Sequence, residues 1–387
     1  GTPSPRPSTS PASSASAPSA TPEPTPTPTL PSLPQGVTQR AVLGDPWSKS
    51  RRKVHAVADS ALALVNKARR GHTLTLSMFN LTYPAAAGTL LRAARRGVAV
   101  RVLLNSEGAR SRQARALIAG LGTNRKAKSW VVVRPGGVRM HSKFLLVTTR
   151  AGQGPTVWVS SGNLTTSNGR DQANEALITV GDRPLYDFLM TQFTLMRKGV
   201  TSPRVLGRSA TTAATVVRAF PIPEGGAAND PVMAVLNDIT CRDGSQRTVV
   251  RMAQLFLTVE RLYVSQRLRE LAAQGCDLRI VGHMRGWNEK AIKRLLGRGN
   301  GHVDLRSTNG RILHTKITSV DGWNAAGERI DIALVGSHNL TGRALTVTPE
   351  GVNDELSLRI WDERTVDTYN RWIDRVIAKH SDRARLP

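Results

Sequence analysis

Two distant stretches of this chain carry the same residues in the same order, and that duplication constrains the fold more than any other feature. "MHSKFLLVTTRAGQGPTVWVSSGNLTT" spans 140–166, and "LHTKITSVDGWNAAGERIDIALVGSHNLTG" spans 313–342. Each is a His-x-Lys, an apolar run, a loop, a second apolar run and Ser-x-Asn-Leu-Thr. The His-to-Asn spacing is 22 residues in the first copy and 25 in the second. The sequence upstream repeats as well: 72–105 and 247–283 both read as strand, helix, strand. The helices carry apolar residues at helical spacing, Leu90, Leu91 and Ala94 in one and Leu262, Leu268 and Leu271 in the other. They stop at Gly97 and Gly275. Further short strands, "SWVVV" and "HVDLRS", precede the two His-x-Lys motifs. A strand and a closing helix follow each Asn-Leu-Thr. Strands alternating with helices predict an α/β fold of two similar halves, one sheet in each. The halves are expected at 38–205 and 206–387, joined through a small-residue segment near Ser202 to Thr215.

The first 37 residues belong to neither half. They form a Pro/Ser/Thr-rich segment of almost no charge that cannot bury a core and reads as a disordered, extended tether. Such a tether ahead of a globular unit suggests a secreted or surface-tethered protein whose signal peptide or anchor has been removed. The full chain is 40% hydrophobic, enough for a core, and holds no run that would span a bilayer. Its net charge of +26 favours polyanionic partners: nucleic acid or an anionic membrane surface. Aromatic residues at 4% argue against extended base-stacking platforms. The two cysteines, Cys241 and Cys276, are not in a Cys-x-x-Cys; in an exported chain they are a disulfide candidate rather than a zinc site.

On an extended segment, His141 and Lys143 point to one side and Ser142 to the other, and likewise His314, Lys316 and Thr315. A turn after the second apolar run can return Asn163 or Asn339 to the same place, with Ser161 or Ser337 two residues earlier as a further substrate-binding hydroxyl. Two halves face to face then offer two imidazoles, two ammoniums and two amides around one point. That set suits a phosphodiester. One imidazole attacks phosphorus, the other moves the proton, and the Lys and Asn side chains stabilise the non-bridging oxygens. No cofactor or metal is called for, and one chain completes the site, so a monomer is expected. Each imidazole needs an orienting carboxylate. Glu175 and Glu355 open the strands after the two motifs, and are the candidates for His141 and His314 respectively.

These motifs resemble the phospholipase D superfamily, whose signature is H-x-K-x4-D followed by G-[GS]-x-N. His314, Lys316, Asp321 and Gly336 to Asn339 match it in full. The first copy matches at His141, Lys143, Ser161 and Asn163, with Thr148 in place of the Asp and Ser160 in place of the Gly. The resemblance implies a bilobal α/β/α/β/α sandwich with one active site between the halves. It also implies metal-independent hydrolysis or transfer through a phosphohistidine, with His141 the habitual nucleophile. It further implies that Asp321 supports structure, so Thr148 alters the frame rather than the chemistry. Glycerophospholipid head groups are the first expected substrate and DNA or RNA the alternative; a non-catalytic binder of anionic polymer is the least favoured. Trp287, Trp323 and His338 are candidates for the rim of the cleft. His55, His72, His283, His302 and His380 read as structural or surface residues.

Overall fold

The computed structural model describes residues 1, 30–148, 154–242, 244–297 and 302–386. Most of the 1–37 tether therefore lies outside the described residues. The first half contributes β1 (Thr38–Leu43), β2 (Thr73–Met78), β3 (Ala99–Leu104), β4 (Trp130–Val133), β5 (Arg139–Met140), β6 (Phe144–Val147), β7 (Thr156–Ser160), β8 (Gln172–Ala173) and β9 (Glu175–Val180). Its sheet runs β1-β9-β7-β6-β2-β3-β4, with β2, β3 and β4 parallel and the others antiparallel.

The second half contributes β10 (Ser209–Thr211), β11 (Thr215–Phe220), β12 (Ile239–Thr240), β13 (Val249–Gln254), β14 (Asp277–Gly282), β15 (Val303–Thr308), β16 (Ile312–Leu313), β17 (Lys316–Asn324), β18 (Arg329–Gly336), β19 (Asn353–Ile360) and β20 (Ser381–Arg383). Its sheet runs β10-β11-β19-β18-β17-β13-β14-β15-β20. From β11 to β15 this is the order of the first sheet strand for strand. The segment expected to be a simple connection, 202–215, instead forms the helix Pro203–Leu206 and β10, which pairs with β11 at the edge of the second sheet.

The helices between parallel strands form as the spacing of their apolar residues requires. Pro84–Arg95 and Leu262–Ala273 bury Leu90 and Ala93, and Leu268 and Leu271, against their sheets. They end at Gly97 and Gly275, with φ of 88° and 100°, which side chains with a Cβ rarely adopt. The outer face of the first sheet is covered by the helices Ala56–Lys67, Pro84–Arg95 and Arg112–Leu121 around Leu74, Leu76 and Met78. Pro231–Asn237, Leu262–Ala273 and Glu289–Leu296 cover the second around Val250, Met252 and Ile280. Between the two sheets lies a shared core. Phe144, Leu146, Val157 and Leu177 meet Val217, Ala333, Val335 and Leu358 there, with the helices Arg183–Arg197 and Glu363–Lys379 alongside. Each fully buried aliphatic side chain there adds roughly 1.5–3 kcal/mol. Tyr369 carries the contact across the halves: its hydroxyl donates to the Ala176 carbonyl at 3.0 Å. Cys241 and Cys276 are joined as a disulfide with Cα atoms 4.8 Å apart, tying β12 to the start of β14.

Candidate active site

The His-x-Lys of each half lies where the chain passes from one half's neighbour back to its own sheet, not in the body of a strand. β5 leaves the first sheet and pairs in parallel with β19 of the second half, Met140 opposite Asp354. β16 does the converse, pairing with β8, Leu313 opposite Ala173. The chain then returns to its own sheet as β6 and β17. The exchange places each His against the other half: His141 N–H donates to Asp354 O at 3.0 Å, and His314 N–H to Ala173 O at 2.9 Å. Ser142 and Thr315 turn away as expected, Thr315 Oγ1 donating to Ala253 O at 3.2 Å.

The exchange also corrects the expected pairing of rings and carboxylates. Glu355, assigned from sequence to His141's counterpart, holds His141 itself. Its Oε1 and Oε2 lie 2.8 and 3.0 Å from His141 Nδ1. Glu355 also accepts from Ser337 Oγ at 2.5 Å and Asn353 Nδ2 at 3.0 Å. Glu175 does not touch His141. Its Oε2 accepts from Ser161 Oγ at 2.5 Å and its Oε1 from Lys316 N–H at 3.2 Å. His314 Nδ1 faces Asn174 Oδ1 at 2.8 Å. The reason is register. Ser160 pairs with Ala176 in the first sheet and Gly336 with Ser357 in the second. Asn174, not Glu175, therefore occupies the position of Glu355. An amide stands behind one ring and a carboxylate behind the other. Gly162 makes room for that amide, since a Cβ there would sit 2.9 Å from Asn174 Cγ.

Asn163, Asn339, His141 and His314 line one cavity of about 550 Å³. Asn163 Oδ1 accepts from the Asn80 backbone N–H at 3.2 Å, which leaves its amide nitrogen to donate. Ser161 and Ser337, expected to face substrate, are fully buried and spend their hydroxyls on Glu175 and Glu355. The two departures of the first motif stay in the frame. Ser160 Oγ donates to Glu175 O and accepts from Gly162 N–H, both at 2.8 Å, bracing the loop before Asn163. Thr148 Oγ1 accepts from Thr73 N–H at 2.7 Å at the start of β2. Asp321 pairs with Arg329 on the β17–β18 hairpin, away from the cavity lining. Trp287 is buried, donating to Gln254 O, and Trp323 stacks on Arg242, so neither rims the cleft. His338 is buried against Arg261 and Phe220. His283, expected to be structural or on the surface, does line the cavity. So do Arg139, Arg285 and Arg343 beside Phe79 and Phe256, which single residues in the sequence did not mark.

Burial governs the electrostatics. It lowers His141 to about 4 against the pull of Glu355, and drives His314 well down with Lys316, Lys143 and His141 adding to the effect. Burial alone would raise Glu355, but His141, Lys143 and the Ser337 hydroxyl hold it down at about 2. Glu175 has fewer such partners and burial lifts it to about 7. Lys143 is fully buried, its Nζ without a hydrogen-bond partner among the described residues, and burial pushes it well below the ordinary lysine range. Burial lowers Lys316 to about 8, opposed by Glu175 and Glu355. An ammonium stabilises a phosphate only while charged, so kcat/KM, which reports the free enzyme, should fall as pH rises through about 8. A bound phosphodiester anion favours the charged form, so the limb in kcat should lie at higher pH. Steady-state profiles over both limbs check this; a kcat/KM flat well beyond that range would count against a charged Lys316.

The family described as "Cardiolipin synthase, PLD-like domain" matches residues 62–197 and 244–377, more than half the chain and both repeats. No curated protein sequence matches. Among solved structures, phosphatidylserine synthase from Haemophilus influenzae is 11% identical at a TM-score of 0.60, over 92% of this chain and 89% of its own. Polyphosphate kinase from Porphyromonas gingivalis is 14% identical at 0.56, over 88% of this chain. This chain spans only half of that enzyme's length. Nuc from Salmonella typhimurium, a phospholipase D family member, aligns with 42% of this chain and 95% of its own at 14% identity and a TM-score of 0.32. At these identities the two fuller alignments speak to the fold, and the matched repeats to the family: the chain belongs to the phospholipase D-like family, whose members act on phosphodiesters.

Proposed function

We propose that this protein is a metal-independent phosphodiesterase of phospholipase D type that hydrolyses the head group from glycerophospholipids, or transfers it to an alcohol, through a phosphohistidine. One observation carries the reading. Two imidazoles reach a single cavity, each with Nδ1 engaged by a side chain of the opposite half, so each has Nε2 left for substrate. Asn163 and Asn339 line the same cavity, Lys316 Nζ lies 3.1 Å from His314 Nδ1, and the buried Lys143 acts electrostatically on both rings; these are the groups that would stabilise the developing charge. Phe79, Leu255, Phe256 and Ile312 offer apolar surface to the substrate beside Arg139, Arg285 and Arg343. That mixture suits an anionic phospholipid at a membrane surface better than a zwitterionic one. Among the described residues no helix is long and apolar enough to cross a membrane.

The arginines and the net charge of +26 favour a second reading, a nuclease using the same two rings. One set of assays separates the two: vesicles of phosphatidylglycerol or of phosphatidylcholine, and single- and double-stranded DNA, all in EDTA. The expected result is turnover of phosphatidylglycerol that survives the chelator. DNA cleavage without lipid turnover would reverse the order, and loss of all activity in EDTA would sink the metal-free chemistry.

A further inference from the structure

The cavity lies where the parallel strands of each half finish: Phe79 and Asn80 follow β2, Leu255 and Phe256 follow β13, and His283 follows β14. The same strands begin at the opposite end of the molecule, and there the first half gathers positive charge. Arg96 ties the end of helix Pro84–Arg95 to the end of Ala56–Lys67, its Nη2 donating to Val65 O at 3.0 Å and Ala68 O at 3.4 Å. The loop before β4 joins them through Lys128 Nζ, which donates to Gly97 O. Lys67, Arg69, Arg95, Arg96, Lys126 and Lys128 are exposed on these segments. Among the described residues none of the six forms an ion pair. Between Trp47 and Val147 the chain has twenty Lys and Arg against two acids, Asp59 and Glu107. Both acids sit toward the cavity. Asp59, in the first turn of the helix that ends at Lys67, accepts from Tyr83 Oη at 2.9 Å, and Glu107 pairs with the cavity residue Arg139 at 3.2 Å.

The second half has the same fold without this charge. Ala99 lies opposite Thr73 and Asp277 opposite Val249 at the starts of the parallel ladders, so Asp277 takes the place of Ala99. Trp130 lies opposite Arg101 and Asp304 opposite Arg279, so Asp304 takes the place of Trp130. Counting back from Gly97 and Gly275, Arg92, Arg95 and Arg96 correspond to Glu270, Ala273 and Gln274. The acids of the second half neutralise their neighbours: Asp277 pairs with Arg279 at 3.1 Å, Glu270 with Arg267 at 3.4 Å, and Asp304 with Arg306. A generally basic composition would charge both ends alike. A helix C-terminus favours a cation, yet Leu262–Ala273 ends without one. The positive end therefore belongs to the first half alone, and its like charges repel until a polyanion neutralises them.

We propose that this end of the first half is a docking surface for double-stranded nucleic acid, held by its phosphates and without sequence preference. Three features select that partner. Cations on three converging segments, with no carboxylate of their own, match a duplex backbone. Trp130 is buried, so these segments offer no large ring on which unpaired bases would stack. Among the described residues, the exposed large hydrophobic side chains all lie elsewhere, so nothing here would enter a membrane. A membrane docked at this end would also turn the cavity away from its lipid. Binding here is independent of the chemistry in the cavity: the duplex is held, not cleaved.

The test is fluorescence anisotropy of a short labelled duplex at several salt concentrations, which reads binding whatever the cavity turns over. Lys67, Arg69 and Arg95 changed together to Gln leave the carbonyl contacts of Arg96 and Lys128 in place. Binding near 0.1 M salt should weaken about 30-fold or more, and the slope of log K against log salt should flatten by roughly two to three. The same change of charge at Lys290, Lys379 and Arg385, exposed on the second half, should cost less than about threefold. Equal losses from the two triple variants would assign binding to overall charge and overturn the proposal. So would a larger loss from Arg285→Gln with Arg343→Gln, which would place the duplex in the cavity. Failure of the unaltered protein to bind duplex at low salt also overturns it. Phosphatidylglycerol vesicles bound through Lys67, Arg69 and Arg95 in preference to duplex would make the partner a membrane instead.

Discussion

Lys143→Met is expected to make the protein less active and more stable at once. Activity should fall by about 10²–10³-fold in kcat/KM, the cost of removing one preorganised donor from a transition-state oxyanion. The stability gain has a different origin. Lys143 Nζ is buried beside the cavity without a hydrogen-bond partner among the described residues, and burial holds it well below its ordinary pKa. Its compensation is longer-range attraction to Glu355 and Glu175 and the face of the Phe79 ring 5.6 Å away, offset by Lys316 and Arg139. A thioether of similar length fills the space without that desolvation penalty, for a gain of about 1 kcal/mol. The sign with pH follows. A lysine whose folded pKa is depressed destabilises the fold wherever the unfolded chain would be protonated. The gain should therefore be full below the depressed folded value, shrink as pH rises past it, and be gone by the ordinary lysine range. Thermal melts across that range, beside steady-state kinetics, check both halves of the statement. A variant that lost activity and stability together would make Lys143 a structural residue.

The division into halves was legible because it rests on local patterns. Apolar spacing at Leu90 and Ala94 or Leu268 and Leu271, helix stops at Gly97 and Gly275, and two copies of His-x-Lys each report on neighbours a few residues apart. The pairing of rings with side chains was not legible, because two non-local facts decide it. One is the exchange of β5 and β16, two residues each, onto the opposite halves; segments so short carry no periodic signature. The other is a register. Glu175 and Glu355 both open the strand after the motif, and aligning them by that rule is off by one residue. The ladders from Ser160 to Ala176 and Gly336 to Ser357 set the correspondence, and a one-residue slip exchanges one side chain for its neighbour. The same exchange buries Arg134 against Asp354 at 2.8 Å, an ion pair between halves that no pattern in either half anticipates. Ser161 and Ser337 were legible as recurring but not as carboxylate partners, because their direction depends on that register too.

Glu355→Gln should separate bond cleavage that needs a proton from bond cleavage that does not. Asn353 Nδ2 donates to Oε1 and would keep the glutamine oxygen in place beside His141 Nδ1, while the Ser337 hydroxyl can rotate to accept from the new amide nitrogen. The substitution therefore removes the charge and preserves the shape. At His314 the protein already uses an amide in this role, so the loss at His141 is not the loss of a ring support as such. It is the loss of the charge that lets His141 hold a proton against burial, Lys143 and Lys316. Phospholipids, whose alkoxide leaving group must be protonated, should react about 10³–10⁴-fold more slowly, the scale seen when an amide replaces the carboxylate behind a catalytic His. Release of nitrophenolate from bis(4-nitrophenyl) phosphate, which needs no acid, should slow by less than about tenfold. Equal losses on both leaving groups would place Glu355 in the scaffold between the halves. A loss confined to the poor leaving group would tie the carboxylate to the proton that the departing alkoxide needs.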